Sequence, residues 1–355
     1  MAETFLQLQP QERSEIYRAL APQLGRAPVV LEKDVWVCWV LQALFTRAGR
    51  LPMAFKGGTS LSKVYRAIDR FSEDVDITLD YRGLDNTVDP FAAGLSKTKL
   101  KQFSEGLKSF VRDHVHHVLV PFLERQLLAD CGSGGARIEA NDDGECVRVH
   151  YPSALGNAVG GYISDNVLIE FGGRNITEPN ESHFIQPDIA AQLPELAFPG
   201  AQVSVLSPAR TFWEKATLMH VACQRGEFGT QAERLSRHWY DLARLAALPH
   251  GNTALADRHL LADVVRHKKV FYSTGYARYD DCLVGQLRLI PDGAALVALQ
   301  ADFQHMVDAG MFIGEAPSFG AIVDRLRALE TQINAPVAPI SPDALSPPAP
   351  RHRSD

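Results

Sequence analysis

Cysteine is scarce in this sequence, and what there is forms no pattern. The five cysteines (Cys38, Cys131, Cys146, Cys223 and Cys282) are odd in number and include no CxxC pair. That excludes a disulfide framework and a cysteine zinc site, and leaves reduced, mostly buried thiols. Long apolar runs are also missing: the most apolar helix-like stretch, residues 35–45, is far too short to span a bilayer. The first residues, MAETFLQLQPQERSEIY, carry no basic flank ahead of an apolar core. A cytoplasmic protein without a secretory signal and away from membranes is therefore expected. Positive charge is not in excess, because the net charge is −6. This argues against a surface coated for nucleic acid while leaving room for a local basic cleft. Neither GxxxxGK[ST] nor HExxH occurs, so a Walker loop and a helix-borne zinc site are both excluded.

What is present is an ordinary globular balance, 46% hydrophobic and 22% charged over 355 residues, enough for two domains. Residues 10–25 and 31–47 read as helices, the second apolar nearly all round and hence buried. Residues 51–55 read as a strand, residues 60–69 as a helix and residues 75–79 as an alternating strand. A long helical stretch follows over residues 96–129, with a possible break at Pro121. Residues 146–151 and 166–171 read as strands. Ser207-Pro208 reads as a helix start, with Ser as N-cap and Pro in the first turn. From there helical patterns dominate. The expected organisation is N-terminal helices over residues 1–50 packed on a mixed α/β unit over residues 51–205. A helical domain over 206–332 and a tail over 333–355 complete it. From residue 336 the chain holds six of its 21 prolines, and with so little to bury the tail is expected to be disordered.

The densest chemistry lies in FKGGTSLSKVYRAIDRFSEDVDITL, residues 55–79. On a strand, side chains two apart share a face, so Asp74 and Asp76 point one way while Val75, Ile77 and Leu79 face the core. Two carboxylates at about 4 Å repel by roughly 4 kcal/mol at an effective dielectric near 20, so the pair calls for a cation. Mg²⁺ suits it, because it binds one or two carboxylates together with substrate phosphates. Glu170, at the acidic end of NVLIEFGG, is the candidate third carboxylate of a two-metal cradle. Upstream, Gly57 and Gly58 allow close backbone approach to a phosphate. Thr59 and Ser60 add hydroxyls there, and Lys56 and Lys63 flank the turn. Alone, the acidic half reads first as a solvated edge strand and the glycine half as an ordinary strand-to-helix turn. Together they point to phosphoryl chemistry on a nucleotide.

The order GG-[TS]-x-L-x-K followed by R-F-S-x-D-x-D resembles the nucleotidyltransferase superfamily, and more narrowly the AbiEii/AbiGii-type toxins of bacterial toxin–antitoxin and abortive-infection systems. LEKDVWVCWVL (31–41), TFWEKATLMH (211–220) and RHWYDLARL (237–245) are similar to further family segments, so the resemblance spans roughly residues 30–250. It implies an α+β fold, a nucleotidyltransferase-like mixed-sheet core with an added mostly α-helical C-terminal domain. It also implies that Gly57, Gly58 and Thr59, with Ser60, Lys63 and Ser72, hold the triphosphate of an NTP. Asp74 and Asp76 match the metal-binding carboxylates for Mg²⁺ or Mn²⁺, with Glu170 added by superfamily analogy. Lys215 and Asp241 match the catalytic lysine and aspartate of the helical domain. Lys33 and Asp34 fit the pattern without a role beyond pairing or capping.

The implied reaction transfers NMP from an NTP to an acceptor hydroxyl, with RNA, in particular the 3′ end of a tRNA, as acceptor. Basic surface for it is offered by Lys97, Lys99, Lys101 and Lys108 or by residues 266–269, RHKK. The resemblance further implies a cognate antitoxin that need not form a stable complex, and a role in phage defence or plasmid maintenance. Two rivals remain at this stage: a kinase moving the γ-phosphoryl group, and a non-catalytic nucleotide- or RNA-binding module. His114, His116 and His117 read as surface histidines rather than metal ligands, and the four tryptophans as core.

Overall fold

Two prolines set the first helices. Pro10 and Pro28 stand in the first turns of α1 (Pro10–Leu24) and α2 (Pro28–Thr46). There the missing N–H is no loss and φ is already helical. For that reason α2 begins at Pro28 rather than at residue 31. Its Trp36 and Trp39 are buried, and Trp36 stacks on Tyr151 with ring centroids 4.9 Å apart. The computed structural model describes residues 3–132, 135–156, 165–226, 228 and 234–336. The expected disordered tail falls outside these from residue 337, while residues 333 and 334 close a helix.

The strands are β1 (Glu3–Thr4), β2 (Met53–Lys56), β3 (Val75–Asp80), β4 (Arg137–Ala140), β5 (Cys146–His150), β6 (Asn166–Asn175), β7 (Asn180–Ile185), β8 (Leu196–Ala197) and β9 (Ala201–Leu206). Seven of them form one mixed sheet in the order β4-β5-β6-β3-β2-β9-β7. The pairs β3/β6 and β2/β9 are parallel and the others antiparallel. β1 and β8 pair separately. Along β6 every second residue from Val167 to Gly173 is buried. This is the alternation of a sheet with one covered face. The covered face meets α2 and a later helix, α5, both of which pack on β6. The other face carries the polar residues of the site.

Between these strands run α3 (Gly57–Lys63), α4 (Tyr81–Leu84), α5 (Lys97–His114) and α6 (Val120–Cys131). Two differ from the periodicity. α3 starts on the glycines and stops at Lys63 instead of covering residues 60–69. Val64 and Tyr65 N–H both donate to Ser60 O (3.1 and 3.3 Å), and Arg66 then turns the chain with φ 48°. The stretch 96–129 is interrupted ahead of Pro121 by a π-helical turn, Val115–Leu119. The proline has no N–H to give, so the ladder adjusts upstream of it.

This sheet unit comprises Met1–Thr211 together with Phe303–Pro317. The return of residues 303–317 departs from a helical domain running unbroken over 206–332. It rests on backbone bonds from Phe71 N–H to Met311 O (2.7 Å) and from Ile313 N–H to Asp69 O (2.8 Å). The second unit, Phe212–Asp302 with Ser318–Asp355, is helical over its described residues. Its helices are most of α7 (Pro208–Arg225), then α8 (Ser236–Ala246), α9 (Pro249–Ala256), α10 (Arg258–Phe271), much of α11 (Gly293–Asp308) and α12 (Phe319–Asn334). At the start of α7 the Arg210 N–H donates to the Ser207 hydroxyl (3.2 Å), the cap that Ser-Pro foretells.

Candidate active site

The strand register gathers the acidic residues. Asp76 stands beside Glu170 of the parallel neighbour β6, and beside Lys56 of β2 on its other side; Glu170 in turn stands beside Cys146. Residues opposite one another on adjacent strands share a face and lie about 4.8 Å apart in the pairing direction. Burial alternates along the chain, with Glu73, Val75 and Ile77 buried and Asp74 and Asp76 half-buried. Asp74 therefore falls on the same side as Asp76, and Glu170 joins them across the sheet.

The glycine turn lies against this row. An added Cβ on Gly57 would stand 1.9 Å from the Asp76 Oδ2, and Gly57 also has φ 80°. Only glycine satisfies both constraints. A Cβ on Gly58 would meet Arg70 Nη2 and Ser72 Oγ, each at 2.7 Å. The Thr59 hydroxyl donates to the Ser72 hydroxyl at 3.0 Å. Gly57, Gly58, Thr59, Ser72 and Asp76 thus lie together, Thr59 being buried among them.

Two expected triphosphate contacts are engaged elsewhere. The Ser60 hydroxyl is fully buried and donates to Gly57 O at 2.9 Å, so it braces the turn instead of facing a ligand. The Lys63 ammonium lies 2.6 Å from Asp34 and 3.1 Å from Asp188. Burial pulls its pKa down, but Asp34 and Asp188 more than reverse this and hold it above the ordinary lysine range. Its charge is already matched by carboxylates, which removes the reason to place it on a phosphate. With only seven residues, α3 also contributes little dipole.

Arg70, beside the turn, is a residue that sequence reasoning left without a role. Its side chain is buried, lies over Gly58 and donates to Phe71 O at 3.0 Å. With Thr59, Ser72, Lys33, Asp34 and Lys63 it lines a cleft beside the turn. The available signal was its place in RFSEDVD, where a basic residue precedes the acidic strand. Lys33 and Asp34 of α2 were likewise unassigned. Lys33 pairs with Glu73 (3.0 Å) and Asp34 with Lys63.

Lys215 and Asp241 come together within the second unit. The ammonium is 2.9 Å from the Asp241 carboxylate, which is wholly buried, and 3.2 Å from His238 Nδ1. A buried carboxylate of this kind fixes the position of its cation.

Among the described residues, no three side chains from His, Cys, Asp and Glu are gathered into a ready-made metal site. The donor set nonetheless fits Mg²⁺ or Mn²⁺. Hard oxygen donors from Asp76 and Glu170 share one face, and this class of ion takes its remaining ligands from water and phosphate. Among the described residues no helix is long and apolar enough to cross a membrane.

A sequence model of a family described as nucleotidyl transferase AbiEii toxin, type IV toxin–antitoxin system, matches residues 39–325. Among solved structures the chain is similar to MenT4, the nucleotidyltransferase toxin Rv2826c from Mycobacterium tuberculosis H37Rv. The two are 19% identical, the match covers 92% of this chain and 98% of that one, and the TM-score is 0.43. No curated protein matches the sequence.

Proposed function

The chain belongs to the AbiEii family of nucleotidyl transferase toxins of type IV toxin–antitoxin systems, and from that premise we propose how its residues transfer a nucleotide. The observation that carries the proposal is the Asp76 carboxylate lying against Gly57 with Glu170 in register beside it. The backbone N–H groups of Gly57 and Gly58 hold the triphosphate, helped by the hydroxyls of Thr59 and Ser72 and by the Arg70 guanidinium. Asp74, Asp76 and Glu170 would hold Mg²⁺ or Mn²⁺, which would lower the pKa of the attacking hydroxyl and stabilise the leaving oxygens. The acceptor oxygen forms a bond to the α-phosphorus, the bond to the bridging oxygen breaks, and pyrophosphate leaves. Lys215 and Asp241 keep the catalytic role that the family resemblance implies, the ammonium held by the carboxylate.

We assign the acceptor as RNA, with the tRNA 3′ end as the specific candidate. Lys97, Lys99 and Lys101 on α5 are exposed and suit this role. The RHKK segment suits it less, since Arg266 pairs with Asp263 and Lys269 with Asp280. An antitoxin is the family's expected partner.

The test uses the purified chain, an RNA pool and NTPs labelled at the α or the γ phosphorus. Nucleotidyl transfer puts α label at RNA 3′ ends, and Asp76→Asn lowers incorporation by at least about 100-fold. Incorporation of γ label alone would make the enzyme a kinase. Growth arrest that survives Asp76→Asn would make the site non-catalytic.

A further inference from the structure

We propose that Lys33 is a positioning residue for the catalytic carboxylates, clamping the leading ends of β3 and β6 from the covered face of the sheet; this rests on the carboxylate row proposed above. The Lys33 side chain is almost completely buried. Its ammonium makes an ion pair with Glu73 at 3.0 Å and donates a hydrogen bond to the Asn166 carbonyl oxygen. Glu73 immediately precedes Asp74, and Asn166 is the first residue of β6, the strand that carries Glu170. One cation thus ties Glu73, next to Asp74 and just ahead of β3, to the start of β6; β3 carries Asp76 and β6 carries Glu170. Alternation makes this possible, because Glu73 points to the helix side of the sheet while Asp74 and Asp76 point to the open side.

The next residue of α2 acts on the other half of the site. The Asp34 carboxylate takes the Lys63 ammonium at the end of α3, and it accepts the Asp188 N–H at 2.7 Å. Neighbouring residues on a helix point about 100° apart, so the Lys-Asp pair reaches the acidic strands with one side chain and the glycine helix with the other. Stability alone does not explain such a choice. A buried ion pair is weak evidence for stability, and well-packed apolar residues often replace one at no loss. What apolar residues cannot supply is a directed bond to both strands.

The experiment follows from that contrast. In the double variant Lys33→Met with Glu73→Met both charges go and the volume is nearly kept. Mn²⁺ binding is measured by electron paramagnetic resonance in the presence of an NTP analogue with a methylene bridge between the α and β phosphorus. Thermal midpoints and kcat are measured alongside. The expected result is a folded protein with a midpoint close to wild type, Mn²⁺ bound about 10–100-fold more weakly, and kcat lowered by a similar factor. Trp39→Phe, which removes the bond from α2 to Asp130 (2.7 Å), serves as control and leaves Mn²⁺ affinity unchanged. Should the double variant not fold, Lys33→Leu with Glu73→Leu, which likewise leaves no buried charge and no directed bond, carries the same expectation. Mn²⁺ affinity within about twofold of wild type in a folded variant overturns the clamp alone. A wild-type chain that binds no Mn²⁺ overturns the carboxylate row and the clamp with it.

Discussion

Asp76 leaves no room for a Cβ on Gly57, and this contact sets how the site responds to the smallest substitution. Alanine at Gly57 would hold φ near 80°, at a strain of about 1–2 kcal/mol. Its methyl would also stand 1.9 Å from the Asp76 carboxylate oxygen. The carboxylate has to move by more than an ångström, and a displacement of that size costs on the order of 100-fold in rate. Gly57→Ala is therefore expected to fold, melt a few degrees lower and lose at least about 100-fold in α-label incorporation. Gly58→Ala meets the ends of two side chains, Arg70 and Ser72, at 2.7 Å. Those can swing aside, so its loss is the smaller of the two. Equal losses would show that the turn is needed as a whole and that Asp76 is not the critical neighbour.

At the scale of elements, legibility followed the strength of the local pattern. β3 and β6 were readable because their apolar residues recur at every second position, and α2 because it is apolar nearly all round. β4 and β7 were not: both are edge strands, RIEA alternating over only four residues and NESHFI mostly exposed and polar. The end of α3 was unreadable because it depends on Arg66 entering the left-handed region, which composition does not announce. In the candidate site, the carboxylates and glycines stood out in the sequence because the proposed chemistry fixes residue type and spacing. Ser60 and Lys63 looked like ligands because their partners, Gly57 O and the carboxylates of Asp34 and Asp188, are visible only in three dimensions. The Lys33–Glu73 pair spans forty residues and could not be read from either end.

Within α7, His220 ties the helix to two loops of its own unit. Its ring is wholly buried. Nδ1 accepts the Arg288 N–H (3.0 Å), which leaves Nε2–H to donate to Arg278 O (3.1 Å). This is the neutral ring, and burial keeps its pKa below the usual histidine value. The unfolded chain then takes up a proton before the folded one does, so stability is intact above about pH 6.5 and erodes as pH falls from there through the folded value. Between about pH 7.5 and 5.5 the wild type should lose more thermal stability than His220→Gln. Equal losses in thermal melts would show that His220 bears none of the acid sensitivity.

Across the whole molecule, a net charge of −6 has to be reconciled with the proposed RNA acceptor. Such a chain gains nothing from general attraction to a polyanion, so acceptor affinity must come from a few local cations. The sheet unit offers Lys97, Lys99 and Lys101 at the exposed start of α5, whereas Lys108 is already paired with Glu105 (3.1 Å). Each phosphate neutralised on single-stranded RNA contributes about −0.7 to the slope of log K against log salt. Replacing all three lysines by glutamate should therefore flatten that slope by up to about 2 and weaken RNA binding at low salt. The KM for NTP should be unchanged, because none of these residues touches the glycine turn. Binding titrations at four or five salt concentrations decide the matter. A slope equal to wild type would take the acceptor off α5, and a raised KM for NTP would mean that the substitution had reached the catalytic row.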